Sequence, residues 1–263
     1  MTRILHLSDT HFGTEQPALV SALVQLAHAL SPQAIVVSGD ITQRATRAQF
    51  AAARAFLEAL PAVPRLVLAG NHDVPLFALW QRLFTPYARY REGLGIEVLE
   101  PRLQLPGLCV IGVKSTRRRR HIDGEVSPRQ VDAVASELRA QAAETLKIVV
   151  THQPLWAARP QDLHNRCHGA EAALASWVEA GADLFLAGHI HWPFAAALPP
   201  QGRAWAVNAG TAVSSRVRPG APNSVNVIDY VPRGADRMCV LRRYVWNGAD
   251  RFAAGPEEAL GLG

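Results

Sequence analysis

The sequence predicts an α/β fold of two packed sheets with helices on the outside, and two observations carry that expectation. Five short runs of β-branched and aliphatic residues, at 4–7, 35–37, 66–69, 148–150 and 184–187, have the continuous apolar character of strands buried on both faces. Between the first three lie stretches with helical spacing, 17–30 and 46–60, so the order is strand, turn, helix, strand, the pattern of a parallel sheet.

Further along, helices are expected at 128–144 and 170–180. The runs at 108–113, 194–198, 204–207, 225–230 and 238–246 are separated by Gly, Pro and Asn with little helix between them, and are expected to form the second sheet. Residues 253–263 are small and Gly-rich, the composition of a frayed tail. With 263 residues, 49% of them hydrophobic, and no repeat or linker, residues 1–263 are expected to form one domain.

Each of the five first runs ends in a polar cluster: Asp9-Thr10-His11, Gly39-Asp40, Gly70-Asn71-His72-Asp73, Thr151-His152 and Gly188-His189-Ile190-His191. Taken singly, each is compatible with an ordinary turn, because Asp, Asn and Thr bond to their own backbone. Taken together, they occupy the carboxyl ends of strands, where loops of an open α/β sheet gather and ligands bind. Two aspartates, one asparagine and four imidazoles with no cysteine suit hard-to-borderline metals. Seven ligands exceed one tetrahedral site, and a carboxylate such as Asp40 can bridge two cations. Ions about 3.5–4 Å apart activate a shared water and clamp both oxygens of an in-line displacement, which fits phosphorus chemistry.

In this order, Asp-x-His, Gly-Asp, Gly-Asn-His-Asp, a lone His after a strand and Gly-His-x-His resemble the calcineurin-like metallophosphoesterase superfamily, from Ile4 to about Thr211. The resemblance implies a four-layer αββα sandwich of two mixed sheets and two divalent or trivalent ions, Mn, Fe or Zn. It implies that Asp9, His11, Asp40 and His191 hold one ion and that Asp40, Asn71, His152 and His189 hold the other. By the same resemblance His72 acts beside the metals as a catalytic group, and Asp73 orients its ring. Protein phosphatases of the superfamily carry Gly-Asp-x-Val-Asp-Arg-Gly and Gly-Asn-His-Glu. This chain has Gly39-Asp40-Ile41-Thr42-Gln43-Arg44 and ends its third motif in Asp73, and so resembles instead the small bacterial phosphohydrolases grouped with class III cyclic-nucleotide phosphodiesterases. The implied activity is hydrolysis of a small anionic phosphodiester by a metal-bridging hydroxide. The alternatives are a DNA or RNA nuclease of the superfamily, less favoured because the repair nucleases carry additional domains, and a non-catalytic metal-binding module, less favoured because every ligand is present.

Four further residues are candidates for substrate contact. His164 and His168 follow the fourth cluster, within a stretch able to fold over the metals. Arg216 and Arg218 follow Asn208-Ala209-Gly210-Thr211, which resembles the family's Asn-Pro-Gly-Ser turn, and either meet a phosphate bidentately or face solvent on a hairpin. His6, His28 and His121 are expected to be ordinary structural or surface histidines. The net charge of +5, dominated by arginine, favours anionic partners; Arg117, Arg118, Arg119 and Arg120 form either a solvated loop or a nucleic-acid or phosphate-steering patch. Cys109, Cys167 and Cys239 follow no metal or redox spacing and are expected to be reduced thiols of a cytoplasmic protein. The first strand begins by Arg3, which leaves no room for a cleavable leader, and no apolar run reaches about 18 residues, so no membrane span is expected. Oligomeric state is left open.

Overall fold

The computed structural model describes residues 1–199, 202–233 and 236–263. Two six-stranded sheets pack face to face. In the first, β1 (Thr2–Leu7), β2 (Ala34–Val37) and β3 (Arg65–Val67) run parallel, and β10 (Ser224–Arg233), β11 (Asp236–Trp246) and β12 (Phe252–Gly261) extend the β1 edge antiparallel. In the second, β5 (Leu108–Gly112), β6 (Leu146–Val150), β7 (Leu184–Ala187) and β9 (Trp205–Asn208) run parallel, with β4 (Arg102–Leu105) and β8 (Phe194–Ala197) antiparallel at the edges.

Strand alternation sorts the side chains into three apolar layers. Ile4, Val36, Leu66, Val110, Ile148, Leu184, Val207 and Ile228 meet between the sheets. Leu5, Leu7, Ile35 and Val37 point the other way and pack under α1 (Pro17–Leu30) and α2 (Arg47–Ala59). On the far side Ile111, Val149 and Phe185 pack under α5 (Pro128–Arg139) and α6 (Ala170–Glu179). The result is the expected αββα sandwich of two mixed sheets. Helix starts are written locally: Pro17 and Pro128 open α1 and α5, and Thr46 with Gln49 and Ser127 with Gln130 close capping boxes on α2 and α5. Two short helices not expected from the sequence, α3 (Leu79–Phe84) and α4 (Ala88–Leu94), follow the third cluster; Tyr90 anchors α4 by donating to the Val67 carbonyl at 2.9 Å.

Two expectations are corrected. Residues 225–230 and 238–246 lie in the first sheet, where β10 pairs with β1, and the second sheet is built around β6 and β7, which carry two of the five clusters. Apolar alternation identifies a strand but not its neighbour, and that ambiguity exchanged the sheets. Residues 253–263 are not frayed: 252–261 form β12, paired with β11 around an irregularity between Arg242 and Tyr244. Its anchors are sparse but deep, with Leu260 wholly buried between the sheets and Phe252 buried under the first, and Trp205 Nε1 donates to the Gly261 carbonyl at 2.9 Å. Leu260→Ala is therefore expected to destabilise the protein by about 2–5 kcal/mol in urea unfolding, the range for emptying a buried leucine site, where a frayed tail would show no change.

Candidate metal centre

All five clusters meet at the carboxyl ends of the parallel strands, three from the first sheet and two from the second. The loops are laced to each other by backbone bonds: Asp9 N donates to the Gly39 carbonyl and His11 N to the Asp40 carbonyl, both at 3.0 Å. To aim their side chains, Asp9, His11, Asp40, His189 and His191 adopt left-handed backbone with φ between 43° and 68°, five of the seven non-glycine residues that do so among the described residues. Such conformations persist only where the surroundings over-determine them, and they concentrate at functional sites. Glycine before a ligand permits the close approach. A Cβ on Gly70 would lie 2.1 Å from the Asp40 backbone N, and one on Gly188 would lie 1.8 Å from Ser8 Oγ and 2.4 Å from Asp9 Oδ2.

Two groups of ligand atoms result, Asp9, His11, Asp40 and His191 in one and Asp40, His152 and His189 in the other, each with its atoms within 4.8 Å of one another. In the first, His191 Nε2 stands 3.2 Å from Asp9 Oδ1, and His11 Nε2 stands 3.1 Å from His191 Nε2 and 3.7 Å from both Asp9 Oδ1 and Asp40 Oδ2. In the second, His152 Nε2 is 3.2 Å from Asp40 Oδ1 and 3.1 Å from Asn71 Oδ1, which is also 3.0 Å from His189 Nδ1. Asp40 thus turns one oxygen to each group.

The rings are aimed from behind. His152 Nδ1 donates to the Ser38 carbonyl at 2.9 Å and His191 Nδ1 to the Arg216 carbonyl at 2.5 Å, so in each the Nε2 lone pair faces the centre. Thr211 Oγ1 donates to the same Arg216 carbonyl at 3.0 Å.

The donor set fits two cations. Asp9 Oδ1 is buried and accepts no hydrogen bond, and the facing nitrogens of His11 and His191 are shielded from solvent. Buried lone pairs so arranged need a cation or protons among them. Burial pushes His11 and His189 down to about 3, toward the neutral form that binds metal. Burial alone would depress His152 too, but Asp40 carries it up to about 9, so a cation bound there displaces a proton.

The remaining sequence candidates separate. Arg216 reaches the centre: its Nη1 is 3.0 Å from His72 Nε2, 3.0 Å from Gln43 Oε1 and 3.4 Å from His11 Nδ1. Arg218 does not serve as a free phosphate clamp, because it is held by Asp162 Oδ1 at 2.8 Å and the Ile190 carbonyl at 2.9 Å, bracing the loop beside His191. His164 is exposed on the short 3-10 turn Pro160–Asn165, and His168 is exposed beside Arg120 and Asp123; among the described residues neither imidazole hydrogen-bonds a member of the centre. Asp73 does not orient His72. It is buried and accepts from the backbone N–H groups of Gly70, Ile41 and Thr42 and from Thr42 Oγ1, at 2.8–3.0 Å, tying the second and third loops together. Burial and the nearby Asp40 charge raise Asp73 to about 7. The His72 ring is instead held by the Gln43 carbonyl, 2.9 Å from Nδ1.

Two residues near the centre escaped the sequence. Gln43 follows Asp40 by three positions, and its backbone carbonyl and side chain both serve the His72 and Arg216 pair. His121, set aside as a surface histidine, has its ring centroid 6.5 Å from that of His72. Proximity to the second motif was a signal for Gln43; for His121 no local pattern existed.

Residues 2–193 match the calcineurin-like phosphoesterase family. A protein of Rhodococcus erythropolis named as a probable cyclic nucleotide phosphodiesterase is 28% identical over 204 residues, 72% of this chain and 64% of its own length. The match thus spans less than two thirds of that relative. A dimetal phosphatase from Danio rerio superposes with a TM-score of 0.69 at 13% identity, covering 100% of this chain and 99% of that one. A purple acid phosphatase from yellow lupin superposes with a TM-score of 0.71 at 12% identity, covering 99% and 54%. At such identities the two structures share the fold alone, whereas the family match takes in most of the sequence and all five clusters: this chain belongs to the calcineurin-like phosphoesterase family.

Proposed function

We propose that the protein is a binuclear metal-dependent phosphodiesterase acting on a small anionic diester, cyclic nucleotides included. The observation that carries this reading is Asp40, whose Oδ1 lies 3.2 Å from His152 Nε2 and whose Oδ2 lies 3.7 Å from His11 Nε2, one oxygen toward each ligand group. Asp9, His11 and His191 complete the first set, and Asn71, His152 and His189 the second. When bound, Mn, Fe or Zn ions would supply an activated water and neutralise charge on phosphoryl oxygens.

The chain's own residues supply the rest. Arg216, with its Nη1 at the centre, is placed to donate to a phosphoryl oxygen. With Nδ1 held by the Gln43 carbonyl, His72 presents Nε2 toward the same space, as a group that stabilises charge or hands a proton to the leaving oxygen. Proton assistance matters most for a poor alkoxide leaving group such as a nucleoside oxygen. The Gly39-Asp40-Ile41-Thr42 and Gly70-Asn71-His72-Asp73 forms and the Rhodococcus relative support the same substrate class.

Three outcomes test this. With added Mn, the protein is expected to turn over bis(p-nitrophenyl) phosphate and to leave phosphoserine peptides intact in a phosphate-release assay; efficient peptide dephosphorylation would reverse the assignment. Asp40→Ala is expected to abolish turnover and to lower metal content measured by elemental analysis, and retention of two tightly held equivalents would refute the bridge. His72→Ala is expected to keep both metals while losing about 10²- to 10⁴-fold in kcat. That loss should be smaller for p-nitrophenolate than for a nucleoside leaving group if His72 gives a proton, and equal for both if it stabilises charge only.

A further inference from the structure

α3 is amphipathic in the reverse sense. Leu79, Trp80, Leu83 and Phe84 are 66%, 76%, 48% and 69% exposed, and Phe77 just before the helix is 77% exposed, while Gln81 and Arg82 occupy the sheltered side. Trp80 and Phe84 stack with centroids 5.5 Å apart and planes at 15°, forming one flat apolar plate. The polar side fastens the helix down: Arg82 donates to the Pro75 carbonyl at 3.3 Å and the Arg120 carbonyl at 2.8 Å. Arg118 in turn donates to the Leu83 carbonyl. The helix and the arginine run 117–120 are therefore one surface, with Ile122 52% exposed at its edge and the Arg44 guanidinium 5.5 Å over the Phe77 ring.

Charge decides what this surface meets. Arg117 and Arg120 are paired with Glu125 and Asp123, whereas among the described residues no carboxylate lies within ion-pair distance of the exposed Arg44, Arg118 or Arg119. A second copy of the chain apposed here would bring arginine against arginine. An anionic bilayer instead accepts aromatic and leucine side chains at the headgroup boundary and pairs arginines with lipid phosphates. Contiguous exposed apolar residues ringed by such charge mark an interaction site, unlike isolated ones.

We propose that α3 together with the 117–120 loop is a docking surface for anionic phospholipid membranes. The loop ends at His121, beside His72, so docking sets the mouth of the metal centre against the lipid headgroups.

The test is co-sedimentation of the chain with vesicles of phosphatidylcholine containing about one-third phosphatidylglycerol, against pure phosphatidylcholine. Binding is expected to the anionic vesicles, to weaken with salt, and to fall at least about tenfold in Trp80→Ser/Phe84→Ser and in Arg118→Glu/Arg119→Glu. Trp80→Ser/Phe84→Ser changes only exposed side chains and is expected to keep wild-type melting, Arg118→Glu/Arg119→Glu also gives up the Arg118 bond to the Leu83 carbonyl, and both are expected to keep wild-type turnover of soluble bis(p-nitrophenyl) phosphate, which reads the metal centre independently of docking. The salt dependence of wild-type binding requires no variant. Absence of binding to the anionic vesicles, binding indifferent to both variants, or a concentration-dependent dimer dissolved by the Trp80/Phe84 substitutions would overturn the proposal.

Discussion

Crowding of lone pairs around Asp40 is the constraint from which the rest of the molecule follows. Two carboxylates, an amide oxygen and four imidazoles point into one buried space, and Asp9 Oδ1 has no hydrogen-bond donor at all. Repulsion among them has to be resisted by the scaffold. Left-handed backbone at five ligand positions costs on the order of 1 kcal/mol each, and is maintained by bonds such as Asp9 N to Gly39 and His189 N to Asp9 Oδ2. Gly70 and Gly188 leave the space in which those loops touch, and Asp73 spends its four acceptor contacts joining the loops after β2 and β3. The site is rigid because several strands end in one place and hold each other there.

That arrangement explains why two sheets are needed. The loops after β1, β2 and β3 supply Asp9, His11, Asp40 and Asn71, and the loops after β6 and β7 supply the remaining three histidines. The apolar layer between the sheets keeps the two halves in register, and it becomes polar just behind the centre. There His6 Nε2 meets Ser38 Oγ at 3.0 Å, and Asn226 Nδ2 lies 3.4 Å from both His6 Nδ1 and the Asn208 carbonyl. Burial drives His6 down to about 3, so its imidazole adds hydrogen bonds to this layer without adding charge. Ser38 joins it to the site, because its carbonyl accepts from the ligand-bearing ring of His152.

The convergence of the five clusters was legible in the sequence because each follows a short apolar run, a pattern that survives without knowledge of strand order. Strand order itself was not legible: Val225 and Tyr230 look the same whether β10 joins β1 or a strand of the other sheet. The tail misled for a related reason. Only Phe252 and Leu260 of β12 are buried, and small residues between them mask the strand. Arg216 and Arg218 shared one motif and could be separated only by partners, Asp162 taking the second and the centre receiving the first. The role assigned to Asp73 failed because adjacency in sequence is not adjacency of side chains: in the 3-10 turn Asn71–Asp73 successive side chains diverge, one to the centre and the other into the interior.

The pair of His72 and Arg216 then has a defined electrostatic logic. Arg216 can donate to His72 Nε2 only while that ring is neutral, with its proton on Nδ1 against the Gln43 carbonyl. On the proposed reading, a phosphoryl oxygen entering the centre would compete for the guanidinium, since a charge-assisted bond to an anion is stronger than one to an imidazole nitrogen. As the arginine turns to the substrate, His72 Nε2 would lose its donor and be left facing the phosphoryl group. Substrate binding and the preparation of His72 would therefore be one event, coupled through a single arginine that lies beyond the last metal cluster in the chain.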